Sequence, residues 1–209
     1  DPYAAKSSID LTIQIPPNYH VFSDLNRSEF TRSNVGFQYH FSGQDIKDHK
    51  IYITKEEFKR FRFGSNEIVS NISHKTIDLQ KEHEILNRVD AFLRQNLQTI
   101  TKDKILLSKI DLKKNDIYGL ALLPDFLSPF PKEFKYELAI AKNLIKKHLD
   151  QYFVVDPRTD YWLKNGFQML LFLKYLDTYY PDQKLIGKLA NMWGIKGYNF
   201  SKLNYNEQF

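Results

Sequence analysis

Residues 9–15 read IDLTIQI, and apolar side chains alternate strictly with polar ones along this stretch. A period of two is typical of a strand with one face in the core and the other in solvent. Pro16 and Pro17 end the pattern, because proline lacks the N–H group that a strand interior needs. Residues 35–41 repeat the alternation, and residues 50–54 form a shorter strand candidate. We therefore predict a β-rich N-terminal domain over residues 1–77.

The hydrophobic period changes after residue 77. In residues 79–97 and again in residues 134–149, apolar side chains recur every three or four positions, which is the period of an amphipathic helix. A further helix is predicted from a cap at Thr159 or Asp160 to Leu176. Strands first and helices later favour an α+β fold over alternating βαβ units. The second domain, residues 78–209, is predicted to be mostly helical.

Three shorter segments complete this prediction. Residues 104–110 have the composition of a strand, residues 118–131 are too rich in proline for a regular element, and residues 183–193 have the pattern of a short helix.

The composition excludes several classes of protein. With 42% hydrophobic and 15% aromatic residues, the chain has enough apolar surface to form a core. The absence of cysteine excludes disulfide frameworks, cysteine-ligated metals and thiol catalysis. No apolar run approaches the ~20 residues that cross a bilayer, so no membrane span is predicted. Without a G-x-S-x-G motif, the sequence also gives no support for a Ser-His-Asp triad.

The start of the last long helix carries the most specific motif. Residues 160–167 read DYWLKNGF. This segment resembles the W-L-N-E-G-F segment of the gluzincin zinc aminopeptidases, the group that includes the membrane alanyl aminopeptidases. The matching residues are Trp162, Leu163, Gly166 and Phe167. The glutamate that is the third zinc ligand in that family is replaced by Asn165.

The resemblance extends to a second helix. In that family, 18 residues separate the third ligand from the second histidine of an H-E-x-x-H motif. The residue at this distance from Asn165 is Lys146, and the motif position reads KNLIK, from Lys142 and Asn143 to Lys146. The family's G-x-M-E-N loop, which holds the amino terminus of a substrate, would correspond to Gly119, Leu120, Ala121, Leu122 and Leu123.

The replaced residues are poor zinc ligands. Zinc binds neutral imidazole, thiolate or carboxylate groups, whereas an ordinary lysine has no lone pair to offer below about pH 10. The amide of Asn143 has no basicity for general-base catalysis, and Asn165 offers only a neutral oxygen. We therefore expect no zinc, no cofactor and no catalytic role for Lys142, Asn143, Lys146 and Asn165.

The resemblance implies a portion of a helical, thermolysin-like peptidase domain, incomplete in this chain, because family members usually continue with further helices. The surface that those helices would cover is then expected to be apolar. The resemblance also slightly favours a secreted or periplasmic location. The lysines at the motif positions have three interpretations. They form a solvated helix face, or they line the former cleft, where they would attract a carboxylate or another anion, or one of them is a nucleophile whose pKa is lowered by the other, which requires burial.

The leading functional hypothesis is a catalytically inactive aminopeptidase-like module that binds a peptide or protein partner. The candidate cleft residues are those of the loop and of the motif positions, Gly119, Leu120, Ala121, Leu122, Lys142, Lys146 and Asn165. One alternative is a part of a larger zinc-metallopeptidase-related enzyme whose activity resides elsewhere. A second is a basic nucleic-acid-binding domain, since the net charge is +5 and residues 59–62 read KRFR. This second alternative is disfavoured because the basic clusters fall in different predicted elements.

Overall fold

A computed structural model describes residues 6–46, 49–63, 66–72, 77–97, 104–115, 117, 130–152, 156 and 159–181. This part of the chain forms eight strands and four helices, and strands dominate its N-terminal half. The prediction of an α+β fold with a strand-rich N-terminal part is therefore confirmed. In chain order the elements are β1 (Ser7–Ile15), β2 (His20–Ser23), β3 (Asn26–Ser33), β4 (Gly36–Ile46), β5 (Ile51–Thr54), β6 (Lys59–Phe63), β7 (Asn66–Ser70), α1 (Leu79–Leu97), β8 (Lys104–Leu107), α2 (Lys109–Lys114), α3 (Lys132–Tyr152) and α4 (Tyr161–Tyr179).

Five strands build the first part of the molecule. An antiparallel sheet has the order β1-β4-β3, and β2 pairs with β5 in a second antiparallel sheet. The alternation predicted for residues 9–15 is confirmed, because the apolar residues of β1 face inward and the polar ones outward. A small core lies under these strands and consists of Ile15, Val21, Leu25, Tyr39 and Phe41.

The third sheet belongs with the helices. It has the order β6-β7-β8, in which β7 and β8 are parallel and α1 lies between them in the chain. Phe61 and Ile68 from this sheet share one large core with Val89 of α1, Ile145 of α3 and Phe172 of α4. The predicted domain boundary at residue 77 thus falls between two elements, β7 and α1, that pack on the same core.

The three predicted helices that fall within the described residues are found with small changes at their ends. α1 spans the predicted residues, and its apolar stripe is buried as expected. The predicted strand over residues 104–110 is wrong beyond Leu107, because Ser108 caps α2: its hydroxyl accepts a hydrogen bond from the Asp111 N–H, while the Asp111 carboxylate accepts from the Ser108 N–H. This reciprocal capping box starts a helix where the sequence pattern indicated a strand.

Two predicted segments lie outside the described residues. They are most of the proline-rich loop over residues 118–131 and the short helix over residues 183–193. None of the described helices combines the length and the apolar character that crossing a bilayer requires.

Candidate functional site

Helices α3 and α4 carry the motif positions and pack against each other. The core face predicted for residues 134–149 is correct, because Leu138, Ala141 and Ile145 are completely buried. α3 also contacts α1, α2 and β8, so most of its circumference is covered. This central position decides the environment of the polar residues that α3 carries.

Lys142 and Asn143 are buried, with 0% and 2% of their surface exposed. The interpretation of a solvated helix face is therefore wrong for Lys142. The Asn143 side-chain N–H group donates to the carbonyl of Ala139 at 2.9 Å and to that of Asn115 at 3.3 Å, and the amide of Asn115 donates to Asn143 Oδ1 at 3.4 Å. The residue at the position of the family's general base thus ties α3 to the C-terminal end of α2.

Lys146 lies one turn further along α3 and is partly exposed. Its Nζ is 3.9 Å from Asp150 Oδ1, and Lys164 of α4 contacts the same carboxylate oxygen. Two ammonium groups around one carboxylate leave a net positive charge, which favours the binding of an anion at this place. Asn165 follows Lys164 directly and is half-buried. The structure therefore brings Lys146 and the segment of Asn165 to one carboxylate, whereas Asn143 is directed at α2.

The proposed substrate loop cannot be placed in this arrangement. Gly119, Leu120, Ala121 and Leu122 lie outside the described residues, so their assignment to the cleft stays a prediction.

Asp111 is the centre of a cluster that joins three parts of the chain. Its carboxylate lies 2.9 Å from Lys50 Nζ, 3.2 Å from Lys147 Nζ and 3.1 Å from the Tyr52 hydroxyl. Burial by itself would raise the pKa of Asp111, but Lys147, Lys50 and the Ser108 N–H lower it to about 2. Burial lowers the pKa of Lys147 to about 8, although Asp111 acts in the opposite direction.

Two further buried carboxylates support the helical part. Glu82 of α1 accepts a hydrogen bond from the Tyr136 hydroxyl at 2.8 Å and pairs with Lys59 at 2.9 Å. Glu137 of α3 accepts from the Tyr175 hydroxyl and pairs with Arg88 at 3.2 Å. Burial and the neighbouring carboxylates raise the pKa of both tyrosines. These clusters join α1, α3 and α4, and each acid in them is occupied by structural partners.

The residues at the motif positions do not fit a zinc ion. Lys142 and Lys146 end in amino groups and not in the imidazole, thiolate or carboxylate groups that zinc binds, and both polar atoms of Asn143 are used in hydrogen bonds to neighbouring residues. Within the described ranges, no group of three or more His, Cys, Asp or Glu side chains is arranged to hold a metal ion. The motif positions therefore lack the ligands that zinc chemistry requires.

The basic cluster of residues 59–62 is engaged in ion pairs. Lys59 pairs with Glu82, whereas Arg60 and Arg62 both lie within 3.5 Å of Glu67. Charges that are neutralised within the protein contribute little to the binding of a phosphate backbone. The ion pairs thus weaken the nucleic-acid alternative.

The outward side of α4 is apolar. We call this surface the α4 apolar face, and it consists of Trp162, Leu163, Phe167, Leu170 and Leu173, which are all exposed. Trp162 and Leu170 expose 71% and 60% of their surface. Gly166 lies among them, one turn after Trp162 and one turn before Leu170, and a Cβ atom placed on it would have no atom of a neighbouring element within 4 Å. The face therefore has a notch at its centre.

No protein-family model matches this sequence, and no curated protein matches it either. The resemblance to the gluzincin aminopeptidases thus rests on the residues of α3 and α4 and stays a prediction.

Proposed function

We propose that this chain is an aminopeptidase-like module that has no peptidase activity and binds a protein partner through the α4 apolar face. The observation that carries the proposal is the exposure of five large apolar side chains along one side of α4. Single exposed apolar side chains are ordinary, but a contiguous apolar surface is typical of an interaction site. Trp162 is the natural anchor, because tryptophan is the residue type most enriched at binding hot spots.

The chemistry of the motif positions supports the absence of peptidase activity. A zinc peptidase needs two histidines, a carboxylate ligand and a general base. Here the first two ligand positions hold ammonium groups, the third an amide, and the position of the base an amide engaged with Asn115. A module of this kind retains a surface for recognition without the groups for hydrolysis.

The shape and charge of the face define the partner. Trp162, Leu163 and Leu170 surround the notch at Gly166 by their spacing along the helix, so one apolar side chain of the partner fits there. Lys174 is exposed beside Leu170 and Leu173, and the chain has a net charge of +5. The partner therefore presents an amphipathic segment with apolar side chains flanked by carboxylates.

A synthetic amphipathic helical peptide with leucines on one face and glutamates at the margins tests this proposal. In a Trp193→Phe background, Trp162 is the only tryptophan, and its fluorescence is expected to shift to shorter wavelength as the peptide covers it. The control peptide has lysines in place of the glutamates and is expected to bind at least tenfold more weakly. Equal binding of the two peptides, or a Trp162 signal that does not change, contradicts the proposal.

Gly166→Ala separates binding from folding. The added methyl group fills the notch, so affinity for the glutamate peptide is expected to fall about tenfold, although alanine stabilises a helix relative to glycine. Unchanged affinity in this variant contradicts the proposal that the notch receives a side chain of the partner.

Metal analysis tests the proposed absence of peptidase activity. Stoichiometric zinc or chelator-sensitive aminopeptidase activity in the purified chain would refute it.

A further inference from the structure

Three polar side chains form a hydrogen-bonded chain across the outer surface of the β1-β4-β3 sheet. His40 lies on the central strand β4, Asp10 on β1 and Ser28 on β3. Ser28 Oγ is 2.6 Å from His40 Nδ1, and His40 Nε2 contacts Asp10 Oδ1. His40 is thus held between a hydroxyl and a carboxylate that come from the two neighbouring strands.

This arrangement fixes the roles of the two ring nitrogens. A carboxylate only accepts hydrogen bonds, so the neutral imidazole carries its proton on Nε2 and donates it to Asp10. Nδ1 then has a free lone pair and, at 2.6 Å, is a closer acceptor for the Ser28 hydroxyl proton than the His40 carbonyl oxygen, which lies 3.3 Å from Ser28 Oγ. These are the roles of the Ser, His and Asp side chains in serine hydrolases, with the two ring nitrogens exchanged.

The backbone at Ser28 is irregular in a way that suits such a site. The register between β3 and β4 shifts between Arg27 and Glu29, so Ser28 is the extra residue of a β-bulge. Bulges redirect a side chain and are over-represented beside active sites. The His40 side chain is 31% exposed, and a substrate therefore has access to the pair.

A groove of about 580 Å³ lies next to Asp10, and neither Ser28 nor His40 belongs to its lining. Asp10 belongs to its lining, together with Asn26, Ser42 and Gln44. Asn26 precedes Ser28 by two residues, and its amide is a hydrogen-bond donor of the kind that stabilises an oxyanion. The polar side chains in this lining suit a polar substrate.

We propose that Ser28, His40 and Asp10 form a nucleophilic-serine site that hydrolyses acyl esters of polar alcohols. Ser28 Oγ attacks the ester carbonyl carbon while its proton passes to His40 Nδ1. The C–O bond to the alcohol then breaks, and His40 returns the proton to the leaving alkoxide. A water molecule hydrolyses the acyl-serine in the same two proton transfers, which releases the carboxylic acid and restores the serine. Asp10 is a positioning residue.

A fluorophosphonate probe and p-nitrophenyl acetate test the site directly in the whole chain. The probe is expected to label Ser28, identified by peptide mass spectrometry, and ester hydrolysis is expected to fall at least 100-fold in Ser28→Ala. Ser33→Ala is the matched control, because Ser33 lies on the same strand and its hydroxyl is occupied by the Gly36 carbonyl at 3.0 Å. It is expected to retain wild-type labelling. Circular dichroism confirms that both variants are folded.

Chemical rescue distinguishes a general base from a structural histidine. His40→Ala is expected to lose labelling and hydrolysis and to recover part of both when imidazole is added, which a purely structural role would not allow. Asp10→Asn is expected to lower the rate only about tenfold, because 76% of the Asp10 side chain is exposed and water screens its charge. Absence of labelling at Ser28, labelling of Ser42 instead, or hydrolysis undiminished in Ser28→Ala overturns the proposal.

Discussion

Lys147 and Asp111 form a buried ion pair, with 3.2 Å between Nζ and Oδ2, that joins α3 to α2. Lys50, which precedes β5, lies 2.9 Å from the other oxygen of the same carboxylate. Asp111 therefore pairs with two cations from distant parts of the chain. Because the side chains of Asp111 and Lys147 are 8% and 11% exposed, water does little to compensate for the loss of either charge.

Asp111→Asn is expected to destabilise the fold by about 3–5 kcal/mol, the usual cost of leaving buried charge without its partner. Urea denaturation followed by circular dichroism measures the free energy of unfolding. Asp177 is an exposed carboxylate on α4, and Asp177→Asn is the control, which is expected to change stability by less than about 0.5 kcal/mol.

The contribution of Asp111 to stability is complete above the ordinary aspartate pKa of 3.8 and is lost as the pH falls towards about 2. The difference between wild type and Asp111→Asn is thus expected to shrink over that range, and a difference that stays constant contradicts this account.

The tyrosines bonded to buried carboxylates make the fold sensitive to alkali. The pKa of Tyr175 is raised in the folded state above its ordinary value of 10.0 by burial and by Glu137. Above about pH 10, tyrosine therefore ionises only in the unfolded chain, and stability is lost as the pH rises. Lys147 contributes with the opposite sign between about pH 8 and the ordinary lysine pKa of 10.5, since its pKa is lowered in the folded state.

Tyr175→Phe isolates the tyrosine contribution. The variant is expected to be less stable than wild type by about 1–3 kcal/mol near neutral pH, because Glu137 loses a hydrogen-bond donor. Its stability is expected to decline less steeply above pH 10, so the two denaturation midpoints converge. If the free energies of unfolding of the two proteins run parallel as the pH rises above 10, Tyr175 ionises equally in the folded and unfolded states and this prediction is wrong.

The same substitution at two glycines is expected to have opposite effects. Gly166→Ala meets no neighbouring element within 4 Å and removes a flexible residue from α4, so it is expected to raise stability by about 1 kcal/mol. At Gly36, φ is +156° and an added Cβ would lie 2.2 Å from the carbonyl oxygen of Ile15. Gly36→Ala is therefore expected to cost more than about 2 kcal/mol, because β1 and β4 must separate. Thermal unfolding of both variants measures the two effects, and changes of the same sign would contradict the geometry.

Local periodicity is sufficient to predict the elements that bury one face. It predicts β1 and α1 almost to the residue, because their inward side chains repeat every two and every three or four positions. It does not predict β3, since all eight residues of that strand are exposed and no alternation marks it. α2 also escapes prediction although Ser108 and Asp111 have the spacing of a capping box, a signal that the strand-like run before it conceals.

The environment of the site cannot be predicted in the same way. The helical period correctly identifies the apolar face of α3, but it carries no information on the elements that cover the other faces and bury Lys142. The contact between Lys164 and Asp150 likewise depends on how α3 and α4 pack. His40 and Asp10 are 30 residues apart and meet through the register of two strands, which no short motif encodes.

Restoring the family's residue types tests whether the positions keep the geometry of a zinc site. The fourfold variant Lys142→His, Asn143→Glu, Lys146→His and Asn165→Glu places two imidazoles one turn apart on α3 and a carboxylate at the start of α4. Because Lys146 and the residue before Asn165 already meet at Asp150, we expect this variant to bind about one zinc ion per chain.

The variant that keeps Asn165 and changes only the other three positions is the control. It lacks the third ligand and is expected to bind zinc at least tenfold more weakly, since zinc sites of this type use three protein ligands. Zinc titration monitored by calorimetry, with circular dichroism as a check of folding, measures both affinities. A folded fourfold variant that binds no zinc, or binds it no better than the control, would mean that Asn165 does not converge with the two α3 positions and that the resemblance to the peptidases is accidental.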